Sequence, residues 1–456
     1  MQDEYVKNGS MSPSLAHSSQ KDSLQNTRNS TSNITGFKIA GVYWAFLKRA
    51  LRLLFDEKNR ATRRERLLSP GDALFNLIKL SFLQDTMLKY RYMVRFGKSI
   101  VIDSTFPPFP SKAFDKRIEN YLNNLDLTEI PSGIVSISTT NCCPYSCSFC
   151  STIAHRNPEK DLDEDLLKDT IDQVEGLGVP TIILHGGEPL FRYDRFLRLV
   201  KHVSDDICLW MFTTGYGLTA ERALELKKNG LFGAWVSLDH FDAKVHNELR
   251  GHPQAFENSC RAIHHFKEAG IYTCLSLVPP DDLLEPENFL RYYDFAKDLG
   301  VAEIRILERK PCGREVNSGV VPHSKVLEQL QKDLSRNPKY RQHPPISGLS
   351  TWLEKDSALG CQCRFEYLFI TSKGDVQPCE ASEISFGNIS AEPFPSVYGR
   401  ICAAFPRPST GCIPMEMFPE IRKYLEAQDD LSSPDRAGIA TSIMESFRQR
   451  GDIPGA

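Results

Sequence analysis

An α/β fold, a partial (β/α)6 barrel, is what the 456-residue sequence predicts, on three observations. From about Ser132 onward, six short, continuously apolar segments alternate with amphipathic ones. Apolar strands of that kind are buried on both faces, as in a parallel sheet. The intervening amphipathic helices supply its outer layer and the crossovers that parallel strands need.

Residues 1–36, ending SSQKDSLQNTRNSTSNITG, have little to bury and read as a disordered tail. Residues 37–130 read as a helical amino-terminal extension, opening with FKIAGVYWAFLKRALRLLF and the basic DEKNRATRRERLL. Lys48, Arg49 and Arg52 make this run too charged to span a membrane. Two readings of it stand: a helix packed on the main domain, or a peripheral membrane contact through residues 38–66. The Pro-rich FPPFPSK marks a boundary before the barrel.

Residues 131–340 form the expected barrel. Its strands are SGIVSIST, TIILHGG, DICLWMFTTG, FGAWVSLDH, IYTCLSLVPP and VAEIRILER, and its helices LDEDLLKDTIDQVEGLG, FRYDRFLRLVKHV, TAERALELKKNG, AFENSCRAIHHFKEAG and ENFLRYYDFAKDLG. In such a sheet, function gathers in the loops after the strands' carboxyl ends. Residues 341–415 read as a small cysteine-containing β-hairpin domain around EYLFITSKGDVQPC, and residues 416–456 as carboxyl-terminal helices.

Hydrophobic content of 41%, charged content of 25% and a net charge of −3 are those of a soluble globular protein and argue against a nucleic-acid surface. MQDEYVKNGS shows no secretory signal, so a cytoplasmic location is expected. Thirteen cysteines there are expected as thiols or metal ligands, and an odd number excludes complete internal pairing.

Four of them crowd into NCCPYSCSFC, after the first barrel strand. Cys143, Cys147 and Cys150 are spaced C-x3-C-x2-C, and Cys142 reads as a structural spare. Structural zinc needs four protein ligands, whereas three thiolates on a four-iron cube leave one iron open. The second strand ends in HGGEP, where a glycine pair lets backbone approach a ligand and Glu188 can neutralise an ammonium.

This combination resembles the radical S-adenosylmethionine superfamily. The resemblance implies an open-site 4Fe-4S cluster on Cys143, Cys147 and Cys150 and S-adenosylmethionine held at Gly186, Gly187, Glu188 and Pro189, with Phe149 near the adenine. Ser237 is implied as a ribose contact and Arg250 as a carboxylate contact, beside Thr213, Thr214, Gly215, Leu238 and Asp239 at the strand ends. Asp239 read alone is a helix cap and Arg250 a surface charge.

Around the hairpin, Cys361, Cys363, Cys379 and Cys412 resemble part of the auxiliary-cluster region of SPASM and twitch enzymes, without its dense later cysteine run. That implies a second 4Fe-4S cluster on these residues, and zinc fits the same thiolates. Cys312 in ERKPCGR reads either as a hydrogen-atom donor at the mouth or as a local thiol, and His185 and His240 as proton handlers.

The implied activity is reductive cleavage of S-adenosylmethionine to a 5′-deoxyadenosyl radical that abstracts a substrate hydrogen atom, with an electron donor such as flavodoxin or ferredoxin. Peptide or protein modification is the leading substrate reading. The alternatives are a small molecule or lipid, and a non-enzymatic iron–sulfur carrier or sensor.

Overall fold

The computed structural model describes residues 31–34, 37–65, 71, 93–124, 130–154, 161–315, 324–348 and 363–405. Most of the expected tail, the expected carboxyl-terminal helices, Cys361 and Cys412 lie outside the described residues.

Among the described residues nine strands form one sheet. Six of them, β4 (Ile134–Thr140), β5 (Thr181–Gly186), β6 (Cys208–Thr213), β7 (Leu231–Ser237), β8 (Tyr272–Leu277) and β9 (Glu303–Ile306), run parallel in chain order, as the sequence predicts. Helices separate them, and their starts follow local chemistry: Asp163 caps Glu164–Gly176, Thr219 caps Ala220–Lys228 and Asp242 caps Ala243–Arg250, each accepting from a first-turn N–H. One strand face packs on these helices through Ile137, Leu184, Met211, Val236, Leu277 and Ile306. The other face fills the barrel with Ile183, Trp210, Trp235, Tyr272 and Cys274.

Three features differ from expectation. A further strand, β10 (Ile346–Gly348), lies parallel to β9. The cysteine-flanked hairpin, β11 (Tyr367–Ile370) and β12 (Val376–Gln377), joins the barrel sheet, with β11 parallel to β4 from Tyr367 opposite Ile134 to Ile370 opposite Ile137. The extension is not all helical, and the end of the expected disordered tail is a strand: β1 (Thr31–Ile34) from the tail joins β2 (Met93–Phe96) and β3 (Ser99–Val101) of the extension in an antiparallel sheet.

That extension closes one end of the barrel. Val94, Phe96 and Val101 pack against residues at the strands' amino ends, with Phe96 edge-on to Tyr272 at 5.2 Å. Ser104 accepts from Trp235 Nε1 at 3.4 Å and donates to Glu303 at 2.7 Å, pinning the plug to the interior. The helix α1 (Phe37–Phe55) packs Val42, Phe46, Ala50, Leu53 and Leu54 against Phe114, Ile118 and Leu122 of the helix Lys112–Leu122. With the amino end plugged, the carboxyl end is the accessible mouth.

Candidate functional site

The mouth is organised by the loop after β4. Cys143 and Cys147 are buried and Cys150 is half-buried, in one cluster with Tyr145, Phe149 and Tyr216. Tyr145 stacks on His252 at 4.4 Å and accepts from Asn258 at 2.8 Å, fixing the loop to the helix Ala255–Glu268. Burial pushes the Cys143 and Cys147 thiols above their usual range, and the Arg250 guanidinium opposes the shift at Cys147. Among the described residues no three His, Cys, Asp or Glu side chains converge on one metal ion. The three thiols lie within electrostatic reach of one another.

The glycine pair is required by how closely β5 approaches this loop. Gly187 donates to Thr140 O at 2.8 Å and Glu188 to Cys142 O at 2.7 Å. A Cβ on Gly187 would stand 2.3 Å from Cys142 O, and one on Gly186 2.2 Å from Thr140 O, with Gly186 at φ +142°. HGGEP therefore sets the cysteine loop's position through backbone alone.

Glu188 is fully buried, and its carboxylate faces the end of β6. It accepts from Thr213 Oγ1 at 2.7 Å, Thr214 N and Oγ1 at 2.6 Å each, and Leu190 N at 3.0 Å, capping the short helical turn Pro189–Arg192. Burial raises its pKa while these donors pull it down. Thr213 and Thr214, read from sequence only as a strand end, are the partners that orient the motif's carboxylate.

Arg250 is a buried residue of the helix Ala243–Arg250 and not a surface charge. Its fork grips Asp239 at 2.5 Å and 2.9 Å, its Nη1 lies 3.9 Å from Cys147 Sγ, and its guanidinium lies 5.0 Å from the Phe149 ring centroid. Burial disfavours its charge, but the Asp239 carboxylate outweighs that and holds its pKa above the usual value. Asp239, which also accepts from Val278 N at 2.9 Å, caps no helix; Asp242 does that. Beside them His246 accepts from Asp239 N at 3.1 Å and is pulled down to about 4 by burial, so it is neutral. Ser237 ends β7, and its carbonyl accepts from Ser259 at 2.8 Å.

His240 accepts from Asp242 N through Nδ1, which leaves its Nε2 to donate to Asp282 at 3.0 Å. That is a structural use of both nitrogens. His185 instead points into the barrel near Phe369 and Phe212, with Nε2 lacking a partner and burial pulling its pKa down to about 4.

Cys312 is buried beside Cys379, Glu380 and Glu383. Its turn ties both cysteine regions together: Arg314 N donates to Cys150 O at 3.0 Å and Gly313 N to Glu383 at 2.9 Å. A Cβ on Gly313 would lie 2.3 Å from Cys150 O. Cys363 is buried and Cys379 half-buried, and both pack on the core that covers the sheet's outer face. Cys402 accepts from Arg364 Nε at 3.2 Å. Sequence reasoning missed Tyr145, Asn258 and Arg305; the aromatic between the first two cysteines was the only signal for Tyr145, and a lone arginine in an apolar strand the only one for Arg305.

Residues 137–307 match the family model of the Radical SAM superfamily, and residues 361–400 that of SPASM, an iron-sulfur cluster-binding domain. The chain is 27% identical over 288 residues to the AdoMet-dependent heme synthase of Nitratidesulfovibrio vulgaris, covering 58% of this chain and 78% of that one. It is 27% identical over 259 residues to the PqqA peptide cyclase of Streptomyces rochei, covering 55% and 70%. Among solved structures, SuiB of Streptococcus suis bound to precursor peptide SuiA is 17% identical with a TM-score of 0.49, over 59% of this chain and 64% of that chain.

Proposed function

We propose, from the premise that this chain is a radical SAM enzyme with a SPASM iron–sulfur domain, that it abstracts a hydrogen atom from a peptide or protein substrate held at the barrel mouth. The cofactors are a 4Fe-4S cluster with S-adenosylmethionine and an auxiliary cluster, which together make an enzyme the better reading than a carrier or sensor. When bound, cluster and S-adenosylmethionine supply the one-electron cleavage that yields methionine and a hydrogen-abstracting 5′-deoxyadenosyl radical.

Cys143, Cys147 and Cys150 hold the first cluster, and the observation carrying this is the backbone lock between Gly186–Glu188 and the loop that bears them. Phe149, fixed over Arg250, offers a flat face for the adenine. Gly186 to Pro189 and Ser237 line the ground where S-adenosylmethionine sits, and Thr213 and Thr214 orient the buried Glu188 carboxyl group. Arg250, spent on Asp239, orients Phe149 and balances the charge near Cys147. Cys361, Cys363, Cys379 and Cys412 are the ligand set for the auxiliary cluster, with Cys312 as a thiol beside it. The electron comes from a flavodoxin- or ferredoxin-like donor.

A second reading, a membrane-borne small molecule, is favoured by α1 alone. Its outer side exposes Trp44, Leu47 and Phe55 next to a cavity of about 500 Å³ lined by Lys48, Arg49 and Arg52 among others. Arg49 is paired with Asp115 there. No helix among the described residues is long and apolar enough to cross a membrane.

The test is to incubate reconstituted enzyme with short peptides encoded beside its gene, and separately with lipid extract on anionic vesicles. A peptide that speeds 5′-deoxyadenosine release at least tenfold and itself loses or gains mass supports the first reading. Stimulation only by vesicles, abolished in Lys48→Glu/Arg52→Glu, contradicts it and establishes the second.

A further inference from the structure

The barrel interior changes character along its length. Below its uppermost layer it is aromatic: Trp210 stacks on Trp235 at 4.0 Å and Phe212 on Trp235 at 4.6 Å. One layer toward the mouth it turns polar. The register places Arg305 of β9 opposite Ser276 of β8, and Ser276 opposite Ser237 of β7, so these side chains share one level and one face. Ile304 and Ile306 on either side of Arg305 belong to the helix-facing core, which sends Arg305 inward. Its guanidinium lies 5.1 Å from the Trp235 ring centroid and 5.9 Å from that of Phe212, above the aromatic floor.

Arg305 is 7% exposed, and among the described residues its Nε and Nη1 have no hydrogen-bond partner. Glu303 and Glu380 are near enough to act on its charge, but neither accepts from those atoms. Glu303 accepts from Ser104, and Glu380 from the Tyr367 hydroxyl at 3.2 Å. Among the described residues the other buried arginines each have a partner: Arg117 on Glu366, Arg250 on Asp239 and Arg364 on Cys402 Sγ, although Arg117 Nη1 has none. A buried cation without an acceptor is costly to fold, and such a cost is kept where a ligand supplies the missing acceptor. His185 Nε2 is a second buried, unpartnered polar atom on the interior face, next to Phe212.

We infer that Arg305 is the anchor for an oxyanion of the substrate, a carboxylate or phosphate, which it grips with its planar fork while the rest of the molecule reaches toward Cys143, Cys147 and Cys150 at the mouth. A guanidinium fork pairs bidentately with either group. The inference rests on the hydrogen-abstraction reading above, narrows its substrate to one with an anionic terminus or side chain, and makes Arg305 a specificity-determining residue.

The experiment uses the reconstituted wild type, Arg305→Gln and Arg305→Met, with benzoate, phenyl phosphate and the neutral benzamide as probes, read by tryptophan fluorescence. Benzoate or phenyl phosphate is expected to bind the wild type at least tenfold more tightly than Arg305→Gln, with benzamide blind to the substitution; the tighter of the two anions identifies the group. Arg305→Met is expected to unfold at the same or a higher temperature. Equal binding of benzoate and benzamide, or a large drop in unfolding temperature for Arg305→Met, overturns the inference by making Arg305 a structural cation. Substrate-free 5′-deoxyadenosine formation by the wild type is measured alongside. Its absence from the wild type removes the underlying reading, whereas its presence with non-discriminating probes removes only the anchor.

Discussion

Arg250→Met is expected to cost the fold about 3–5 kcal/mol, because it strands a buried carboxylate. Asp239 is fully buried, and two of its hydrogen bonds come from the Arg250 fork. Removing the fork leaves only Val278 N donating to that side chain among the contacts described above. The same substitution frees Phe149 and removes the cation nearest Cys147, so iron content should fall together with stability. Arg250→Lys should recover little, since an ammonium cannot make two parallel bonds to one carboxylate. Urea unfolding of the three proteins measures this, and an Arg250→Met protein as stable as the wild type would remove the account of this pair.

Gly187→Ala is expected to abolish S-adenosylmethionine cleavage and to lower iron to about half, with the auxiliary cluster retained. The added methyl meets Cys142 O at 2.3 Å, and a backbone carbonyl can move only if the cysteine loop moves with it. Gly176→Ala is the control, since its new Cβ meets nothing within 4 Å. Iron counting and 5′-deoxyadenosine assays on the two variants should separate cleanly; an active Gly187→Ala enzyme would mean that the lock between β5 and the loop is dispensable.

How far the sequence could be read follows from where the information lies. The six parallel strands were legible because each is buried on both faces, so that runs such as TIILHG and CLWMFT carry no competing polar pattern. The cysteine loop and glycine pair were legible because their spacing is local. Contacts made across the chain were not. Nothing near Glu188 in sequence announces Thr213 and Thr214, 25 and 26 residues away, as its hydrogen-bond donors. The joining of β11 to β4 spans most of the barrel and could not be read from a hairpin that looks complete by itself. The extension read as helical because its apolar helix dominates the pattern, while β2 and β3 are only four and three residues long. Arg305 looked like an ordinary strand residue until the register turned it inward beside an aromatic floor.

The central claim is that the cysteine loop holds a cluster that cleaves S-adenosylmethionine. It is tested most directly by anaerobic reconstitution of the wild type beside a Cys143→Ala, Cys147→Ala, Cys150→Ala variant, with dithionite, S-adenosylmethionine, iron counting and quantification of 5′-deoxyadenosine. The expected result is 5′-deoxyadenosine from the wild type alone, with about eight irons falling to about four in the variant. A fully iron-loaded wild type that forms no 5′-deoxyadenosine, or a variant that forms as much as the wild type, would contradict the claim.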